Sequence, residues 1–128
     1  MTIFSKIIAG DIPCYKVGED AENFAFLDIN PLVEGHTLVV PKLEVDKLFD
    51  LPEERFASLM LFAQRVAKVL ESKVECKRVA VVVLGLDVPH AHIHLIPLVN
   101  GPQDIDFGRP KLELTSERFS EIASLVSL

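Results

Sequence analysis

His90-Ala91-His92-Ile93-His94-Leu95-Ile96 alternates polar and apolar residues over its first six positions, the period of a β-strand with one face toward a core. Read as a strand over Ala91–Leu95, it puts His90, His92 and His94 on one face and Ala91, Ile93 and Leu95 on the other. Residues two apart on a strand are separated by about 6.6 Å, so His90 and His94 would stand about 13 Å apart on a straight strand. Three of the chain's four histidines therefore line one strip of sheet. A zinc ion with ligands at about 2.1 Å takes two of them more easily than three, which weakens a metal reading of the strip. Imidazole changes protonation near neutral pH, and its bare nitrogen is a nucleophile. A row of imidazoles suits attack on a phosphate, with neighbouring rings steadying the phosphoryl oxygens or sharing protons.

Outward from this strand the pattern is α+β. Ile3, Phe4, Ile7 and Ile8 fall on one helical face that Gly10 closes. Two strands are expected around Cys14–Val17 and Asn23–Asp28 with Gly18-Glu19-Asp20 as the turn, then a strand from His36 to Val40 ended by Pro41. Asp50-Leu51-Pro52-Glu53 has the form of a capping box opening a long helix to about Lys73, with Phe56, Leu59, Met60, Ala63, Val66, Ala67 and Leu70 as its core stripe. Leu61, Phe62 and Val69 lie off that stripe and offer a surface for a second copy. The β-branched run Val79–Leu84 predicts a strand buried on both faces. Thr115–Leu128 predicts a C-terminal helix turning Phe119, Ile122, Ala123 and Val126 inward. Strands on either side of one long helix imply a mainly antiparallel five-stranded sheet carrying that helix, a short N-terminal helix and a C-terminal helix.

The 128 residues fit one domain, taken as 1–128. A formal net charge of −6 argues against broad nucleic-acid binding, which needs a basic surface, but leaves room for a single nucleotide held by local donors. No apolar run is long enough to span a bilayer, and residues 1–6 lack the pattern of a secretory signal, so a cytoplasmic location without membrane association is expected. Cys14 and Cys76 form no Cys-x-x-Cys pair.

The run from His90 to Ile96, with Pro97 after it, resembles the His-φ-His-φ-His-φ-φ signature of the histidine triad family. Ile3–Pro13, Ala25–Ile29 and Gly35–Lys42 resemble that family's opening, ribose strand and central strand in the same order, so the likeness covers residues 3 to about 98. It implies a small homodimeric nucleotide hydrolase acting on a purine mononucleotide or nucleoside phosphoramidate. By the resemblance, His92 attacks the α-phosphorus and forms a nucleotidyl-imidazole, while His90 and His94 orient the phosphate. His36 supports the hydrogen-bond network. Asp28 accepts from ribose hydroxyls beside Ile29, and Ile3, Phe4, Ile7, Phe26 and Leu38 line a slot for the base. No cofactor and no metal are expected. Some bacterial relatives carry Cys-x-x-Cys where Thr2 and Ser5 stand here, and Glu44 occupies the neighbourhood of a further histidine ligand. The stretch Gly85–Pro89 is shorter than the family's usual segment and lacks its amide and hydroxyl donors. Two rival readings remain: a zinc hydrolase using two triad histidines with His36, and a nucleotide-binding regulator without turnover.

Overall fold

The computed structural model describes residues 1–128. Helix α1 spans Ile3–Ala9, β1 Lys16–Glu19, β2 Asn23–Leu27, β3 Thr37–Pro41, α2 Glu53–Lys73, β4 Arg78–Val82, β5 Ile93–Leu98 and α3 Ser116–Val126. The five strands form one antiparallel sheet in the order β1-β2-β3-β5-β4. No helix is long and apolar enough to cross a membrane.

Strand alternation divides the sheet into two working faces. Ala25, Leu27, Val39, Ile93 and Leu95 point to the face covered by α2 and α3, where they join Leu59, Phe62, Ala63, Val66, Leu70, Phe119, Ile122 and Val126 in the main core. The opposite face carries Phe24, Phe26, Leu38 and Val40, which pack with Phe4 of α1. His94 pairs across the sheet with Leu38 and so belongs to this second face. The N-terminus of α1 is capped by the Thr2 hydroxyl, which accepts from the Ser5 amide, and its end is closed by Gly10 at φ +87°. That short helix lays Phe4 against the histidine strand.

Six expectations change in three dimensions. The first strand begins at Lys16 and runs through Gly18 and Glu19; the turn sits at 20–22 because the Asp20 carboxylate accepts from the amides of Glu22 and Asn23. The capping box does not form: Asp50 lies in a 3-10 turn, and α2 starts after Pro52 with no side-chain cap. Phe62 is 1% exposed and sits in the main core, so it is no surface for a second copy. The buried arc of α2 runs through Leu59, Phe62, Ala63, Val66 and Leu70, while Met60 and Ala67 are only partly covered. Strand β4 is an edge strand rather than a doubly buried one, and Val81, Val83 and Leu84 stay exposed. Finally, pairing on β5 begins at Ile93, because before it the chain leaves β3: the Ala91 amide donates to Val45 outside the sheet. His90 and His92 therefore stand on an extended lead-in, not on a straight strand.

Candidate functional site

Every imidazole has a different set of partners, and those partners decide which nitrogen carries the proton. The His92 Nδ1 lies 2.7 Å from the His90 carbonyl, an acceptor only, so Nδ1 carries the hydrogen and Nε2 presents a lone pair. Nε2 makes no hydrogen bond within the chain and remains open to solvent. Phe4 presses edge-on against this ring, with centroids 5.1 Å apart, and fixes its plane.

His90 is fully buried and tied at both nitrogens. Nε2 donates to the Pro41 carbonyl at 2.8 Å, which leaves Nδ1 to accept from the Thr2 hydroxyl at 2.7 Å. Thr2 and Ser5 are joined in turn to Glu44: the Thr2 amide donates to Oε1 at 2.9 Å and the Ser5 hydroxyl to the same oxygen. These hydrogen bonds hold Glu44 below the usual carboxylate range. The positions expected to carry metal ligands in some relatives thus form a closed hydrogen-bond network. Burial, partly offset by the Pro41 carbonyl, lowers the His90 pKa, so the ring is neutral.

His94 is joined to His36, which is buried at 1% exposed. The buried Leu32 amide donates to His36 Nδ1 at 3.1 Å; the His36 proton is therefore on Nε2, which donates to His94 Nδ1 at 2.9 Å. His94 in turn keeps its proton on Nε2, free of any partner in the chain. Burial holds His36 neutral down to about 3 and His94 down to about 4, each helped by an adjacent imidazole. Gly35 makes this placement possible: its φ is +93°, and a Cβ there would meet Pro97 at 3.3 Å.

Asp28 lies at the end of β2, its Oδ2 3.5 Å from His36 Nε2. With His36 neutral this is a polar contact and not an ion pair. Burial raises the Asp28 pKa, against hydrogen bonding from Asn30 and the nearby His92 and Lys111. Asp28, His36 and His94 have potential ligand atoms within 4.8 Å of one another. They do not suit a metal. A ligating His36 Nε2 would force the hydrogen onto Nδ1, where it would face the Leu32 N–H that now donates there.

The structure gathers His36, His90, His92, His94 and Phe4 around one edge of the second face, with Asp28 beside them. Phe26 and Leu38 complete the wall behind Phe4 but are almost fully covered, and Ile7 is partly covered against the same cluster. Ile3 and Ile29 are exposed, at 48% and 64%, and free to touch a ligand. Sequence reading missed the partners of the histidines. Thr2 and Pro41 are remote from His90 in the chain, and Phe107, whose ring lies 4.9 Å from His94, sits in a loop without periodicity. Only the gap left by the donor-poor Gly85–Pro89 segment hinted that other residues must complete the site.

Residues 9–101 match the HIT domain family. The chain is 34% identical to an adenosine 5'-monophosphoramidase of Schizosaccharomyces pombe, covering 98% of this chain and 95% of the relative. It is 35% identical to an adenosine 5'-monophosphoramidase of Saccharomyces cerevisiae, over 94% of this chain and 77% of that one. Its fold superimposes on a crystal structure of a Hit-like protein involved in cell-cycle regulation from Bartonella henselae with a TM-score of 0.85, at 29% identity, covering 98% and 92% of the two chains. The match to the HIT domain over residues 9–101 and the two yeast relatives at 34% and 35% identity, in a chain that sets three imidazoles in a row beside a buried fourth, show that the chain belongs to the histidine triad (HIT) family.

Proposed function

We propose that the chain is a nucleotide hydrolase that cleaves purine nucleoside phosphoramidates at the α-phosphate, with His92 as the nucleophile. The observation that carries this reading is the 2.7 Å bond from His92 Nδ1 to the His90 carbonyl, which leaves Nε2 bare and solvent-open in the middle of the row. Its lone pair attacks the α-phosphorus and the P–N bond to the leaving amine breaks, the amine taking its proton from water. The imidazole becomes positive as the new N–P bond forms, and the His90 carbonyl, already holding Nδ1–H, stabilises that charge. His94 Nε2–H donates to a phosphoryl oxygen. Water then cleaves the N–P bond, releasing the nucleoside monophosphate and restoring His92. Asp28 serves the ribose hydroxyls and Ile29 the sugar's apolar side, while Ile3 and the Phe4 wall face the base. The names of the two yeast relatives support adenosine as the nucleoside.

Incubation with adenosine 5'-phosphoramidate, an alkaline quench and mass spectrometry of the intact chain test this directly. Adenosine monophosphate and an adduct on His92 are expected. An adduct on His90 or His94, or nucleotide binding with no turnover, would refute it.

The same reading includes a homodimer, and β4 supplies its surface. An unpaired strand edge flanked by exposed Val81, Val83, Leu84 and Leu86 invites a second copy to continue the sheet about a two-fold axis, with exposed Leu61 a further apolar contact. Val81→Lys should yield a monomer in light scattering at micromolar concentration. A monomeric wild type would refute the dimer.

A further inference from the structure

The segment 102–114 lies beyond the family match, yet it runs alongside the histidines. Its base is held by buried Asp104, whose Oδ2 accepts from the amides of Val99, Asn100 and Gly101 at 2.8, 2.7 and 3.3 Å. Arg109 donates to the Gln103 carbonyl at 2.8 Å. Lys111 Nζ donates to the carbonyls of Phe107 and Arg109 and closes the turn between them. The Leu112 amide bonds the Pro31 carbonyl at 2.9 Å, fastening the far end to the loop between Asp28 and His36. The Phe107 ring is thereby set edge-on to His94 at 4.9 Å and to His36 at 6.1 Å, over Leu32, Val33 and Ile96.

We propose that this strap is a working part of the site, with Phe107 a positioning residue that keeps water from the His36–His94 hydrogen bond and so holds His94 Nε2–H toward the phosphoryl group. The role of His94 rests on the hydrolase reading above; the sealing of the pair does not. A water admitted to this bond would compete for both nitrogens and release the two rings from their single tautomer. The groups facing the pair are His92, Asp28 and Lys111. Asp28 favours protonation of His36, whereas the strap opposes it twice, through the apolar ring and through the Lys111 ammonium.

The test uses the full chain as wild type, Phe107→Ala, Phe107→Leu and Lys111→Met, with histidine titration by NMR and kinetics on adenosine 5'-phosphoramidate. In Phe107→Ala the midpoints of His36 and His94 should rise from about 3 and about 4 toward the ordinary histidine range. Turnover should fall about tenfold while KM changes less than about threefold, since the strap orients a donor rather than binding the nucleoside. Phe107→Leu should restore most of both effects, and Lys111→Met, which removes a charge together with the two bonds that close the turn at Phe107, should raise both midpoints, that of His36 more. Unchanged midpoints in Phe107→Ala, even with lower thermal stability, would show a packing role only and overturn the proposal. If no variant or wild type turns over the phosphoramidate, the hydrolase reading fails while the titrations still decide the strap's effect on the pair.

Discussion

The two histidines flanking His92 look equivalent in the sequence and are opposites in the structure. His90 spends both nitrogens on fixed partners, the Pro41 carbonyl and the Thr2 hydroxyl, and what it offers the proposed reaction is its backbone carbonyl. His94 spends one nitrogen on a dry pairing with His36 and keeps Nε2–H free. One flank is a mount and the other is a donor. Residues of the same type at the same spacing thus acquire distinct roles through the atoms that reach them, and the asymmetry makes their contributions separable.

Removing the ring both flanks serve should have the largest effect. His92→Asn is expected to cut turnover at least about a thousandfold while nucleotide binding stays within about tenfold, because the nucleophile goes and the pocket remains. A near wild-type rate in a steady-state assay would discard the shared premise. Next comes the flank comparison itself. His94→Ala should cost about a hundredfold in kcat, the scale of one lost donor to a developing oxyanion. His90→Ala should cost about tenfold in kcat but lower stability by roughly 1–3 kcal/mol, since it leaves a buried carbonyl unpaired. Equal kinetic and stability losses in the two variants would erase the distinction between mount and donor.

Acid should expose the buried flank. His36 and His94 have folded pKa values depressed to about 3 and about 4, so below their ordinary value the unfolded chain binds protons that the native state refuses. Stability is therefore full above the ordinary histidine range and declines as pH falls toward 4, by up to about 1.4 kcal/mol per pH unit for each ring. The raised pKa of Asp28 works against this near the acid end of the window. Melting curves at pH 7 and pH 5 should show the drop in wild type and a smaller one in a His36→Asn, His94→Asn double variant; identical drops would remove the two rings as its cause. The smallest expected kinetic change is Thr2→Val, which deprives His90 Nδ1 of its hydroxyl partner and α1 of its N-cap, at a cost of about 1–2 kcal/mol in denaturant unfolding, with turnover within about threefold. A loss of turnover as large as that of His90→Ala would mean that Thr2, and not Pro41, is the main anchor of the mount.

Much of the fold was legible because periodicity records burial directly. The inward residues of α3, the placing of Phe4, Ile7 and Ile8 on one side of α1, and the division of Ile93 and Leu95 from His94 all follow from side-chain direction, a property of the local backbone. Phe62 and β4 were misread for the complementary reason. Phe62 joins residues of α3 and the sheet in the main core, whereas β4 ends the sheet with no neighbour to cover Val81. A residue's own helix or strand does not record which elements arrive on either side.

For the site, local alternation by itself determined that His94 would turn away from the core face that takes Ile93 and Leu95, whereas His90 and His92 reach the same edge on an extended lead-in packed against Phe4. Which ring nitrogen of His36, His90 and His94 holds the proton was decided only by the tertiary structure. That choice depends on the Leu32 amide, the Pro41 carbonyl and the Thr2 hydroxyl, groups brought within 3.1 Å by the meeting of β3, β5 and α1 and by the loop before His36. A proton's position is an energy difference set by whatever donor or acceptor stands opposite it in space, and sequence distance carries no information about that.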